Sequence, residues 1–161
     1  MRSNDMHLVQ ILKALASKSP AAQDNLETSL KTILDRAERR GLITVVSDLM
    51  FDPEPVRNQL SRLQAQGHEV LVFQLRDPTE EEFPFNRWVQ FADRENPAVR
   101  HRIDPVPLKK IYLEEYQALI EEWKNWATKQ NIHFISVRSD EPVETMLSEY
   151  LFFRTEVTAK H

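Results

Sequence analysis

The chain has 161 residues, a formal charge of −4 and a pI near 5.8. That length supports one domain with a sizeable core, and the acidic balance argues against a nucleic-acid partner, which needs a basic face. The absence of cysteine excludes disulfides, thiolate zinc sites and cysteine nucleophiles and is compatible with a reducing compartment. No apolar run is long enough to span a bilayer and no signal-peptide core is present, so the expectation is a cytoplasmic protein. In chain order, Asn4 or Asp5 can cap a first helix to about Ser17, with Leu8, Ile11, Leu12 and Leu15 as its apolar stripe, widened by Val9. After the Ser19-Pro20 break, a second helix is predicted from Asn25 to Arg40, with Leu26, Leu30, Ile33, Leu34 and Ala37 inward. Leu42 to Asp48 then reads as a strand covered on both faces that ends in a carboxylate.

Asp52 and Pro53 supply an N-cap and a first helical residue for a third helix carrying Val56, Leu60 and Leu63. Gly67 stops it, and Val70 to Leu75 is a second buried strand, completing a βαβ unit. Gly41 and Gly67 are the only glycines. Both read as helix stops in the left-handed conformation, and neither can belong to a dinucleotide fingerprint or P-loop. Residues 76–107 are too long to be featureless. They are predicted to hold a solvated acidic turn at Thr79 to Glu82 and a hairpin of Trp88–Phe91 with Val99–Ile103 around Asn96-Pro97. Phe83, Phe85 and Trp88 are expected to pin that excursion to the body. The longest helix follows at Leu108 to Lys129, with Ile111, Tyr112, Leu119, Trp123 and Trp126 on its apolar faces. Ile132 to Val137 is the third strand, and Ser139 or Asp140 caps a last helix from Glu141 to Arg154 bearing Met146, Leu147, Tyr150, Leu151 and Phe153.

The segments Arg39-Arg40-Gly41-Leu42 through Ser47-Asp48-Leu49, Gly67-His68-Glu69-Val70, Arg76-Asp77-Pro78, Phe83-Pro84-Phe85, Leu108 to Tyr116, and Ser139-Asp140-Glu141-Pro142 ahead of Tyr150-Leu151 form an ordered set. Together they resemble the C-terminal part of the bacterial domain-of-unknown-function family fifty-eight, which carries a von Willebrand factor A-like domain. The resemblance implies a doubly wound α/β fold of strand order 3-2-1-4-5-6 with a metal-ion-dependent adhesion site at the strand tips. The three strands here correspond to strands 4, 5 and 6. The fold class expected is therefore a partial doubly wound three-layer α/β sandwich with three parallel strands, a small hairpin and about five helices. The expected organisation is a single truncated domain over 1–155 and a flexible tail over 156–161. The resemblance also implies an interaction module, an adaptor or co-chaperone working with a MoxR-type AAA+ ATPase.

Asp48 matches the aspartate that follows strand 4 in that metal site and is its remnant ligand. The D-x-S-x-S motif is absent from the chain, and the expected threonine position falls near Asp24-Asn25. No cofactor is expected, Mg²⁺ binding being conditional on an upstream half supplying the other ligands. Ser47, Asp52 and Asp77 are the nearby helpers, and strand termination and capping is the plainer role for Asp48 and Asp52. His7, His68, His101, His133 and His161 fit no zinc-helix spacing, and no G-x-S-x-G elbow is present. The enzymatic alternative is a Mg-dependent phosphatase- or receiver-like protein using the strand-end residues Asp48, Asp77 and Asp140. The Leu42–Val46 strand would lie at a sheet edge, which invites pairing with another chain and possible self-association.

Overall fold

A computed structural model describes residues 9–10, 13–14, 16–17, 25–92 and 100–158. The described elements are α1 (Leu26–Arg36), β1 (Leu42–Ser47), α2 (Pro53–Ala65), β2 (Glu69–Arg76), α3 (Pro78–Glu82), β3 (Val89–Ala92), β4 (Arg100–Ile103), α4 (Val106–Lys129), β5 (His133–Arg138) and α5 (Val143–Thr158). The fold is mixed α/β. β1, β2 and β5 form a parallel sheet in that order, and β3 pairs with β4 antiparallel. The order of the three parallel strands agrees with strands 4, 5 and 6 of the expected topology. The predicted hairpin is present, its tip lying outside the described residues. So does most of the predicted first helix, of which the described residues are helical.

β2 is the centre. Val70 and Val72 point to one face, where Leu30 and Leu34 of α1, Leu60 and Leu63 of α2, and Trp123 and Ala127 of α4 close the main core. Leu71 and Phe73 point to the other, against Val137 of β5 and Tyr150 of α5. Apolar side chains alternating along a strand with both faces covered give three layers. The caps follow the sequence: Asn25 accepts from the Glu27 N–H at 2.8 Å and Asp52 from the Glu54 N–H at 3.2 Å. The start of the βαβ unit is tied by His68, whose Nδ1 accepts the Gly41 N–H at 3.3 Å, while the Glu69 N–H donates to the Gly41 carbonyl.

Several expectations are corrected. Among the described residues β1 is covered on one face only: Val45 is buried, but Leu42 is 43% and Val46 59% exposed. The reason is position, since β1 is a sheet edge and α5 packs over β2 and β5. Gly41 is not in the left-handed region. α1 ends at Arg36, and Ala37 takes its C-cap in an extended conformation. The acidic run is helical rather than a turn: Pro78–Glu82 forms α3, capped by Asp77. Ile33 is exposed instead of inward, and so is Trp88, which lies against Arg102; the apolar residues Ile111, Leu147 and Leu151 are exposed as well. Phe83 does pin the excursion, packing on Tyr112 with the rings tilted and their centroids 4.8 Å apart. The last helix starts at Val143, not Glu141, and continues to Thr158, past the end expected at Arg154.

Gly67, at φ 85°, is where a glycine is required, and a Cβ there would meet only the flexible end of Arg40. Gly67→Ala should therefore cost roughly 1–2 kcal/mol, the left-handed backbone penalty. Gly41→Ala, with nothing within 4 Å of its Cβ, should be neutral or stabilising by about 0.4–1 kcal/mol through the unfolded chain. Urea unfolding of the two variants measures the difference.

Candidate functional site

In open α/β sheets ligands gather at the carboxyl ends of the strands, and the polar residues of this fold converge there. Arg76 closes β2 and Arg138 closes β5, and the two are register partners. Neighbouring strands lie about 4.8 Å apart, so two guanidinium-bearing residues emerge side by side and need an anion between them. Glu81 of α3 provides it, one carboxylate oxygen bonded to Arg76 and the other 3.2 Å from Arg138. Arg138 also reaches Asp140 at 3.0 Å and Glu82 at 3.4 Å. Its hydrogen bond to Asp140 holds the guanidinium above its ordinary range and the Asp140 carboxyl below the usual carboxylate value. The clasp ties the ends of β2 and β5 to α3. Lys109 of α4 adds to it by donating to the carbonyls of Glu82 and Phe83 at 2.8 and 2.9 Å.

The strand-end carboxylates predicted as site residues are engaged locally. Asp48 Oδ1 accepts the Met50 N–H at 3.3 Å and lies 3.5 Å from Ser47 Oγ, and that hydroxyl accepts the Leu49 N–H at 3.2 Å. These bonds hold Leu49 at φ 59° with its side chain buried. Asp52 caps α2. Asp77 caps α3, accepting from the Thr79 N–H at 2.7 Å. Asp140, expected as a possible cap of α5, instead faces Arg138.

Asp48 and Asp77 do share one neighbour, Glu80. Burial pushes the Glu80 carboxyl up, and the charges of Asp77 and Asp48 add to that, against a backbone hydrogen bond at Asp77 that favours the charged form. The Tyr116 hydroxyl approaches Glu80 and also favours its charge, but closes no hydrogen bond: it is a buried polar atom without a partner. Burial and the Glu80 charge in turn raise the Tyr112 phenol and hold the Tyr116 phenol protonated well beyond its usual range.

A hard cation wants several oxygen ligands around it. Among the described residues no group of three or more His, Asp or Glu could hold a metal ion, and Asp48 spends Oδ1 on its own turn. The described residues thus do not assemble the metal site that the resemblance implies. What the arrangement does is mechanical: it fixes the strand tips and α3 as one polar surface. Glu80, Glu81, Tyr116 and Arg138 were not expected from the sequence as site residues. Both strands ending in Arg with an Asp close behind, Arg76-Asp77 and Arg138-Ser139-Asp140, is the signal that points to the clasp.

Comparison with known families gives one finding: the family model described as "Protein of unknown function DUF58" matches residues 1–109. The match covers α1 through the start of α4 and ends before β5 and α5. No curated protein and no solved structure matches.

Two predictions follow from the charges. Glu81→Ala leaves Arg76 and Arg138 facing each other, so it should lower the melting temperature clearly more than Glu82→Ala, whose side chain is 63% exposed. For Glu80 the sign is opposite. A carboxyl raised by folding binds protons more tightly in the native state, so its ionisation costs stability as pH rises past the ordinary value of 4.5. Glu80→Gln should raise the melting temperature at neutral pH and leave it unchanged well below pH 4.5. Thermal melts across that range decide it, and a loss of stability at neutral pH would show that the charge is wanted.

Proposed function

The chain belongs to the DUF58 family, and from that premise we propose that it is a non-enzymatic protein-interaction module of the adaptor or co-chaperone kind, working with a MoxR-type AAA+ ATPase. The observation that carries the reading is the open edge of β1. An edge strand presents unpaired backbone N–H and C=O groups to any strand that approaches. Among the described residues β1 has a sheet neighbour on one side only, and two of its apolar residues are exposed. Strand addition at such an edge draws affinity from main-chain hydrogen bonds and specificity from alternate side chains. A second copy of the chain can use the same edge, giving self-association.

The strand-tip chemistry supports the non-enzymatic side of the proposal. A phosphatase- or receiver-like mechanism needs strand-end carboxylates available to a cation or a phosphoryl group. Asp77 and Asp140 are committed to a helix cap and an ion pair, and Asp48 to a turn. In this reading the tips are a docking platform. No helix among the described residues is long and apolar enough to cross a membrane.

The test mixes the purified chain with the MoxR-type ATPase of the same organism and follows amide exchange. Residues 42–47 should become protected in the complex, and unchanged exchange there would sink the edge as the contact. Mg²⁺ or Mn²⁺ should not raise the melting temperature. A saturable rise that disappears in Asp48→Ala would return the metal site to the account.

A further inference from the structure

On the side of the sheet that carries α4, β2 and β5 both turn from apolar to polar toward their carboxyl ends. Val70 and Val72 lie in the main core, and Gln74 and Arg76 follow on the same face, because side chains alternate along a strand. On β5, Phe134 packs against that core, and Ser136 follows as the register partner of Gln74. The Ser136 hydroxyl donates to Gln74 Oε1 at 2.6 Å, and Gln74 is 3% exposed. With its proton spent there, Ser136 Oγ offers a further neighbour only lone pairs. α4 buries Tyr116, Ile120, Trp123 and Ala127. Gln117, Glu121 and Lys124, spaced four and three apart, form a polar row beside that stripe. The row does not close on the strand. A cleft of about 320 Å³ lies between them, bounded by the row and Ile120 on α4, by Phe134 and Ser136 on β5, and by Arg76. Ile135 borders it as well, although its side chain packs against the opposite core. Its backbone therefore makes the contact, and the cleft opens at the outer edge of β5.

The volume is at the lower end of the about 300–1,000 Å³ typical of ligand cavities, so the occupant is a small molecule. Its chemistry follows from what the lining leaves unmatched. Arg76 spends Nη1 on Glu81 and keeps a buried Nε–H with no acceptor. Lys124 and Glu121 approach only to 3.9 Å, with side chains 62% and 49% exposed. A surface pair of that kind contributes little, so each partner is free to turn to a ligand. The cleft thus offers two cations, one carboxylate, a hydroxyl oxygen restricted to accepting, and an apolar wall of Ile120 and Phe134. A doubly charged anion such as phosphate is disfavoured by Glu121 in the lining and Glu81 beside Arg76. A zwitterion with an apolar body answers every one of these groups.

We infer that this cleft binds a free apolar α-amino acid. Arg76 and Lys124 take the carboxylate, Glu121 and Ser136 Oγ take the ammonium group, and Ile120 and Phe134 take the side chain. A free amino acid carries both charges on one carbon, which suits a cleft of this size. The site shares Arg76 with the clasp but lies at the opposite margin of the sheet from β1, so it stands or falls apart from the proposed strand addition.

Titration of the ¹⁵N-labelled protein with L-leucine at millimolar concentrations tests it. The amides of Gln117, Ile135 and Ser136 should shift saturably while those of residues 42–47 stay still. N-acetyl-L-leucine, which lacks the ammonium group, and L-leucinamide, which lacks the carboxylate, should each bind several-fold more weakly. Two exposed substitutions separate the roles without touching the core. Glu121→Gln should weaken leucine several-fold and leave N-acetyl-leucine unchanged, and Lys124→Gln should weaken leucine and N-acetyl-leucine and leave leucinamide unchanged. Absence of a saturable shift with leucine would overturn the inference. So would equal affinity for the three compounds, or variants that bind leucine as the native chain does.

Discussion

Burial of β2 on both faces is the constraint that orders the rest of this structure. Val70 and Val72 are almost fully enclosed on one side and Leu71 and Phe73 on the other. A strand buried in this way cannot slip by one residue without exchanging its two faces, and both are apolar and matched to different helices. Its register with β1 and β5 is therefore fixed by the cores above and below it. α1, α2 and α4 have to lie on one side because Leu30, Leu60, Leu63 and Trp123 complete that core, and α5 has to lie on the other because Tyr150 completes the second. Arg57 shows how tightly α2 and α4 are drawn together. It is buried against the Trp123 ring at 4.5 Å and held by Glu122 at 2.6 Å, a cation stacked on an aromatic face with one charged partner.

How much of this is readable from the sequence depends on the range of the interaction that decides each element. The βαβ unit is legible because its signals are local: an apolar run, Asp52-Pro53 at a helix start, Gly67 at its end, a second apolar run. The hairpin and the longest helix are legible for the same reason. α3 is not, because five residues are fewer than two helical turns and leave no periodicity to read. What holds it is Asp77 at its cap and Glu81 between two arginines, of which Arg138 is 57 positions away. Ile33 fails for a different reason, and the exposed Ile111, Leu147 and Leu151 share it. Periodicity identifies an apolar face, but the width of face that gets covered is set by what packs against it, and that is tertiary. Gly41 illustrates the same limit at one residue: the glycine is real punctuation, but α1 stops at Arg36.

The candidate site separates along the same line. Sequence position alone places Asp48 and Asp77 at strand ends, and both are there. Whether they are ligands depends on where their oxygens are spent, and a carboxylate followed by open backbone N–H groups is drawn into a turn or a cap before it can serve anything else. The groups with perturbed chemistry, Glu80 and Tyr116, are perturbed by burial and by each other's neighbours. Nothing in their local sequence sets them apart. Perturbed groups cluster at functional sites, but they also arise in structural networks. Here the ion pairs around Glu81 account for the arrangement as a structural clasp.

β1 is the element in which structure and function meet, because it is finished on one side and open on two others. Its inward face, through Ile43 and Val45, belongs to the main core, so the strand itself is held in place whatever happens elsewhere. Its outward face, through Leu42 and Val46, meets no described helix, and its backbone edge meets no described strand. These two openings ask for different things. The face requires apolar area, which a helix with a single stripe supplies. The edge requires hydrogen bonds, which only an extended segment supplies. An occupant of the face and an occupant of the edge therefore differ in kind and do not compete. The inward face, buried through Ile43 and Val45, keeps the strand in place while its outward face and its edge stay open among the described residues.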